Sequence, residues 1–173
     1  YADRAAEHWQ NSAPRNKATA IRLRGHGHRL KRDYPAAISA YLSSLEIFRS
    51  ISPESHDVAV GLFELAQAER ATKDYDSAER DSREALHIEK KFNNQELIAN
   101  FTGSLAALAI DREQWAEAES LAREALTLAE KVGRQELIAS DCHRLAIALL
   151  RQNLALSDSE GSLVELTRFG GRW

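Results

Sequence analysis

A repeated pattern of about 40 residues is the feature of this sequence that most restricts its fold. The block at residues 95–99 returns unchanged at residues 135–139, and the block at residues 83–86 returns at residues 123–126. A third block, at residues 74–79, has related blocks one period before it and one period after it. Because the blocks share one spacing, we infer an array of similar units that pack in sequence against their neighbours.

Two helices are predicted in each period. The first carries apolar and small residues at helical spacing, and a short break with an aromatic residue separates it from the second. Small residues recur at fixed points, since a larger side chain would push the two helix axes apart. In the second helices these points are Ala37, Ala78 and Ala118, followed by Ser44, Ala85 and Ala125.

Cap and stop signals stand where the second helices are predicted to begin and end. Asp33 and Asp74 precede two of them, where a carboxylate can accept the first free backbone N–H groups. Pro35 falls in the first turn, where its missing N–H costs nothing. Asn93 and Gly133 stand at the predicted ends, where a left-handed backbone conformation is common.

These features resemble the tetratricopeptide repeat family in its longer variant of about 40 residues. The variant is similar to the repeats of kinesin light chains, of bacterial peptide-pheromone receptors and of sensor arrays in signalling NTPases. The resemblance covers residues 17–152 and implies an all-α, right-handed α-solenoid of antiparallel helix pairs that binds other proteins. The family's small, aromatic, alanine and second alanine positions correspond here to Gly25, Tyr34, Ala37 and Ser44; to Ala66, Tyr75, Ala78 and Ala85; and to Ala106, Trp115, Ala118 and Ala125.

The repeat pattern also predicts the organisation of the chain. The absence of methionine indicates a fragment or a processed product of a longer protein. The predicted segments are the end of a preceding repeat helix and a loop at 1–16, repeat 1 at 17–56, repeat 2 at 57–94, repeat 3 at 95–134, the first helix of repeat 4 at 135–152, and an atypical tail at 153–173.

Three interpretations of the tail remain open. A short helix within residues 162–169 could fold back as a cap, because the last helix of an array exposes a face built for a neighbour. The tail could instead insert into a neighbouring molecule. It could also be an artificial extension without a role.

The first helices of such a solenoid line its concave face. Residues at i, i+4 and i+7 of a helix share one stripe, and here the stripes are basic near the N-terminus and apolar near the C-terminus. This polarity suits a peptide or helix that is acidic at one end and aliphatic at the other. In the alternative interpretation, the charges only keep an exposed face soluble. The predicted groove residues are Arg22, His26, Arg29, Phe63, Gln67, Arg70, Asn100, Ile110, His143 and Ile147.

Composition argues against several classes of function. A net charge of −3 disfavours a general nucleic-acid binder, which must neutralise many phosphates. No apolar run approaches the roughly 18 residues needed to cross a bilayer, and residues 1–16 lack the apolar core of a signal peptide. The single cysteine cannot form an internal disulfide, which favours a cytoplasmic location.

No catalytic or metal site is predicted, and no cofactor. Residues 141–143, Asp-Cys-His, point about 100° apart from one another on a helix and cannot converge. Cys142 matches the packing position of Leu62, so it is predicted to be a buried structural thiol. His26 and His28 face apart, and no carboxylate or cysteine completes a zinc site.

The leading hypothesis is therefore a non-enzymatic interaction scaffold or sensor module within a larger signalling protein. One alternative is a self-assembly element that forms homo-oligomers through its exposed ends and tail. Another is the regulatory domain of an enzyme whose catalytic part lies outside this chain.

Overall fold

A computed structural model of the chain describes the backbone of residues 14–169 and the side chains of residues 14–154. Within that range it contains seven α-helices and no strand. The predicted end of a preceding helix, in residues 1–13, lies outside the described residues. The helices are α1 (Pro14–Leu30), α2 (Tyr34–Ile51), α3 (His56–Ala71), α4 (Tyr75–Phe92), α5 (Gln95–Asp111), α6 (Trp115–Val132) and α7 (Gln135–Phe169).

The chain divides into two compact units, and the division falls within α5 between Phe101 and Thr102. In the first unit α1 packs against α2, α3 packs against α4, and α2 also contacts α3. In the second unit α6 packs against α7. The predicted all-α class of paired helices is confirmed.

The turn inside each of the three hairpins has the same backbone conformation. Its second residue has a left-handed φ of 61° at Arg32, 65° at Lys73 and 59° at Glu113. The following backbone N–H then donates to a carbonyl in the last turn of the first helix, at 2.9–3.0 Å in all three hairpins. Left-handed φ costs a non-glycine residue roughly 1–2 kcal/mol, so the packing of the two helices must hold these turns closed.

The predicted caps of the second helices are confirmed. The carboxylates of Asp33 and Asp74 each accept a backbone N–H three residues later, at 3.3 Å. Pro35 lies in the first turn of α2. Asn93 and Gly133 follow the last residues of α4 and α6 with left-handed φ of 54° and 76°. Local signals therefore set these boundaries.

Small residues occupy the helix–helix contacts, as predicted. In the first hairpin an ideal Cβ on Gly25 would lie 2.9 Å from the ring of Tyr41 and 3.2 Å from the Cβ of Ala40, so only glycine lets α1 approach α2 this closely. The predicted small residues of the second helices are all at most 1% exposed; they are Ala37, Ser44, Ala78, Ala85, Ala118 and Ala125.

The helix boundaries differ from the prediction at two places. Helix α1 begins at Pro14 instead of residue 17, because proline is well suited to a first helical position. Helix α7 does not stop at residue 152 but continues to Phe169, so the predicted break and the fold-back of residues 162–169 are wrong. The repeat pattern ends at residue 152 because it reflects contacts between helices and not the length of a helix. The helix itself can continue, because residues 153–169 contain no proline and the single Gly161 destabilises a helix by only about 1 kcal/mol.

Candidate interaction site

An ion pair joins the first helices of the first two hairpins. The guanidinium of Arg22 on α1 donates to Oε1 of Glu64 on α3 at 2.9 Å, and both side chains are only about one-fifth exposed. The same carboxylate oxygen lies 4.0 Å from Nδ1 of His26. Glu64 is not among the predicted groove residues, yet it forms an ion pair with one of their cations, Arg22.

Arg29 lies beside this pair but has no ion pair among the described residues. Its Nη2 is 3.5 Å from Nδ1 of His26, and its buried Nε makes no hydrogen bond. The guanidinium is also close to the hydroxyl of the fully buried Tyr41, without a well-aligned hydrogen bond. Burial and then Glu64 raise the pKa of Tyr41, while Arg29 opposes this rise. Arg29 therefore keeps an uncompensated positive charge.

An aromatic pair joins α3 and α5 within the first unit. The rings of Phe63 on α3 and Phe101 on α5 stack with their centroids 4.4 Å apart and their planes 16° apart. Phe101 is 1% exposed, whereas Phe63 is only partly buried. Gln67, Arg70 and Asn100 are partly buried as well. Phe101 was not predicted, because its position in the repeat is not aromatic elsewhere.

The predicted residues of the second unit are less buried. Ile110 is partly buried against the cluster formed by Ala109, Ala118 and Ala148. Ile147 is also partly buried, and His143 is exposed.

A buried ion pair lies in the second unit, where α7 packs against Gly103 of α5. Asp141 is fully buried and accepts a hydrogen bond from Arg144, one turn further along α7. An ideal Cβ on Gly103 would lie 2.5 Å from Oδ1 of Asp141 and 2.8 Å from Nη1 of Arg144. Burial raises the pKa of Asp141, and Arg144 opposes this rise. The pair therefore lies between α5 and α7, away from the face of α7 that carries His143.

Cys142 is exposed, so the prediction of a buried thiol is wrong. Its counterpart Leu62 is 1% exposed in a hairpin where α4 packs on α3. Helix α7 continues where the other first helices turn back, so within the described part of the chain no second helix covers it. Ala139 and Ala146 are exposed for the same reason.

The structure thus brings together several of the predicted groove residues of the first unit. It does not show that they form one site with those of the second unit. In the first unit Arg22 and His26 contact Glu64, Arg29 contacts His26, and Phe63 stacks on Phe101. A single groove that includes the second unit stays a prediction. Among residues 14–154 no three His, Cys, Asp or Glu side chains are grouped as metal ligands. None of the described helices is both long and apolar enough to span a bilayer.

Solved structures with similar folds come from different biological settings. BtubC (BKLC) from P. vanneervenii matches with 17% identity and a TM-score of 0.78, over 99% of this chain and 73% of that one. The apo form of RapI matches with 17% identity and a TM-score of 0.81, over 98% of this chain and 63% of that one, so this chain spans less than two-thirds of RapI. A putative kinesin light chain from Podosopora anserina with nearly identical TPR-like repeats matches with 18% identity and a TM-score of 0.70, over 94% and 80%.

At these identities the likeness concerns the fold, and it confirms the solenoid of helix pairs. No curated protein sequence matches the chain. Sequence models of the tetratricopeptide repeat match residues 16–91 and residues 99–132, which together are more than half of the chain. The repeat register, the paired helices and these matches agree, and the chain belongs to the tetratricopeptide repeat family.

Proposed function

We propose that this chain is an interaction module that holds an acidic peptide or helix against the first helices of its first unit. Tetratricopeptide repeats mediate protein–protein interaction, which is the general function that the family supports. The observation that carries the specific proposal is the state of Arg29, whose buried Nε lacks a hydrogen bond and whose charge lacks an acidic partner among the described residues. A carboxylate of a bound peptide would provide both.

Glu64 restricts which ligands this face can bind. It already neutralises Arg22, so a single weakly acidic group gains little from that arginine. His26 lies 4.0 Å from the same carboxylate oxygen, whereas Arg29 contacts His26 and forms no ion pair among the described residues. The arrangement therefore favours a ligand whose acidic group reaches Arg29 directly.

Phe63 supports an apolar anchor on the same ligand. Its ring is partly exposed and stacks on the buried Phe101, so it offers a rigid apolar surface at little entropic cost. The proposed ligand is accordingly acidic at one end and aliphatic or aromatic towards the other.

A charge reversal at Arg29 tests this proposal. The probe is a fluorescent nonapeptide library with fixed pairs of Glu residues at one end and fixed pairs of Leu residues at the other, scored by anisotropy. We expect the Glu-Leu members to bind best and Arg29→Glu to weaken their binding by at least about 30-fold, since losing one partner of a largely buried charge pair costs about 2 kcal/mol or more.

Arg24→Glu is the matched control. Arg24 is exposed on the same helix, about 200° around the axis from Arg22, and the substitution makes the same change in net charge. We expect this variant to bind the peptides as the unmodified chain does. Equal affinity of Arg29→Glu and Arg24→Glu, or no preference for acidic peptides, would contradict the proposal.

The same features support a cytoplasmic scaffold or sensor within a larger signalling protein, without a catalytic role. The chain contains one cysteine and no predicted nucleophile with a base in reach. Its recognisable function lies in a surface, as in other repeat arrays. An assay of the longer gene product, with and without the acidic peptide, would measure whether binding here is transmitted to another domain.

We propose self-assembly through α7 as a second candidate function. Ala139, Cys142 and Ala146 are exposed, although the equivalent positions of α3 are buried under α4. Such a face suits a helix from a second copy, because small side chains allow close approach of the backbones.

Sedimentation equilibrium tests this candidate. We expect concentration-dependent dimers, and a dissociation constant at least tenfold higher for Ala146→Glu, because the interface would bury an unpaired carboxylate. Ser140→Glu adds the same charge at an exposed position on another face of α7 and should leave the dimer intact. Removal of residues 157–173 separates the α7 face from the tail. A monomer at all concentrations for every variant would exclude self-assembly.

A further inference from the structure

Two buried carboxyl groups face each other inside the second hairpin. Glu69 lies in the last turns of α3 and is 6% exposed, and Asp81 lies on α4 and is 4% exposed. Carboxylates are rarely buried to this degree unless each has a partner of opposite charge. Their chemistry is not needed for the interaction face described above, since neither residue belongs to it.

Among the described residues, Arg80 is the one cation bonded to this pair. Arg80 donates its Nε–H to Oδ1 of Asp81 at 2.8 Å, and its own side chain is 66% exposed. Oε2 of Glu69 has no hydrogen-bond partner among the described residues. Asp74, the N-cap of α4, adds a further negative charge nearby. With both buried groups ionised, the contact would hold an uncompensated negative charge at low dielectric.

The other helices packed against α3 supply no additional compensation. On α2, Glu46 and Arg49 are exposed, and Arg49 donates to Glu84 of α4 at 2.7 Å. On α1, Arg15 donates to Asp57 of α3 at 2.6 Å and Arg22 donates to Glu64 of α3 at 2.9 Å, so each is bonded to another carboxylate. The excess negative charge of Glu69 and Asp81 must therefore be neutralised by groups of the second hairpin itself.

We propose that Glu69 and Asp81 share one proton across the second hairpin, and that loss of this proton loosens the contact between α3 and α4, which makes this hairpin a pH-sensitive element of the array. In the protonated state the Glu69 carboxyl donates to Asp81, so one charge is removed and one buried group gains a partner. In the deprotonated state two like charges repel at the centre of the hairpin.

The pH range follows from the electrostatics of Glu69. Its pKa is raised from 4.5 to about 7, first by burial and then by Asp81, with Arg80 opposing the rise. Because the folded state binds this proton more tightly than the unfolded state, the stabilising contribution is fully present below about pH 4.5. It falls as the pH rises towards 7 and is lost above 7. A change within the physiological range would alter the order of α3, which also carries Phe63; this functional consequence depends on the proposed interaction face.

Thermal unfolding of the whole chain between pH 5 and pH 8.5 tests the proposal. Glu69→Gln keeps the shape and the N–H donor to Asp81 but cannot ionise. We expect its melting midpoint to equal that of the unmodified chain near pH 5 and to exceed it by several degrees at pH 8. Glu46→Gln, at an exposed position of α2, should show a constant small difference over the same range. A Glu69→Gln difference that does not change with pH would overturn the proposal.

Hydrogen exchange locates the effect. Amide protection in residues 56–92 should fall between pH 6 and pH 8, after correction for intrinsic exchange, by a larger factor than protection in residues 14–51. Asp81→Asn should move this transition to lower pH, since an amide at that position donates to the Glu69 carboxylate instead of repelling it. A uniform change along the chain, or an unshifted transition in Asp81→Asn, would count against the shared proton. None of these measurements involves a ligand, so they stand or fall independently of the proposed interaction.

Discussion

Replacing Gly103 with alanine is expected to lower the free energy of unfolding by about 2–4 kcal/mol, since a disrupted buried ion pair costs roughly 3–5 kcal/mol and a helical Gly→Ala change returns at most about 1. The new Cβ would meet Oδ1 of Asp141 at 2.5 Å and Nη1 of Arg144 at 2.8 Å. Asp141 is fully buried and has a short side chain, so it cannot move away without losing its partner. Urea denaturation followed by circular dichroism measures the change.

Gly27→Ala provides the matched control for this substitution. Gly27 lies inside α1, and an ideal Cβ there would have no neighbour within 4 Å. The same chemical change should therefore stabilise the chain by about 0.5–1 kcal/mol through helix propensity alone. Adding Asp141→Ala to the Gly103→Ala variant removes the clashing atom, so the two losses should not add. Similar effects of Gly103→Ala and Gly27→Ala would show that the buried pair contributes nothing.

Phe101→Ala is expected to cost about 3–5 kcal/mol, the usual range for truncating a buried aromatic side chain. Phe101 is 1% exposed and stacks on Phe63, so its removal leaves a cavity and frees the ring that the proposed ligand would contact. Phe63→Ala should cost less, because that side chain is less buried than Phe101. A double-mutant cycle should give a coupling of about 0.5–1.5 kcal/mol between the rings.

Phe92→Ala is the control for the second prediction. Phe92 ends α4 and is 55% exposed, so the same truncation there should change stability by no more than about 0.5 kcal/mol. If Phe101→Ala and Phe92→Ala were equally mild, the burial of Phe101 would not be a determinant of stability. The peptide affinity of Phe101→Ala should also fall, because Phe63 loses the surface that orients it.

Most of the fold follows from local sequence signals. Asp33 and Asp74 act as caps because a carboxylate before a helix satisfies free amide groups wherever that helix later packs. Ala78 and Ala118 are buried because the repeat register requires small residues at each contact. Gln114 shows the limit of such signals, since it occupies the matching position before α6 but makes no side-chain cap.

The details of the candidate site depend on contacts between helices that the repeat register does not encode. Arg22 meets Glu64 only because α1 and α3 lie side by side, and the two residues are 42 positions apart. Their pairing belongs to one hairpin junction and has no counterpart at the other repeats, so periodicity cannot predict it. The burial of Asp141 beside Gly103 likewise depends on packing between α5 and α7, which the repeat register does not encode.

The error at Cys142 has a different origin. The repeat register predicted a buried Cys142 because the equivalent position of α3 is covered by a second helix. Helix α7 instead continues as one helix of 35 residues, so Cys142 is exposed. A position in a repeat thus predicts which face a residue occupies. Whether that face is covered depends on the neighbouring element.

The three identical turns have a consequence for how quickly this chain folds. Each joins its two helices through only three residues, so the entropy lost on closing a hairpin is small. The resulting contacts are local in sequence, which is typical of chains that reach their native state in microseconds to milliseconds. Because the turn geometry at Arg32 recurs at Lys73 and Glu113, no single hairpin is the obligatory nucleus. Folding can start at any of the three and spread to its neighbours.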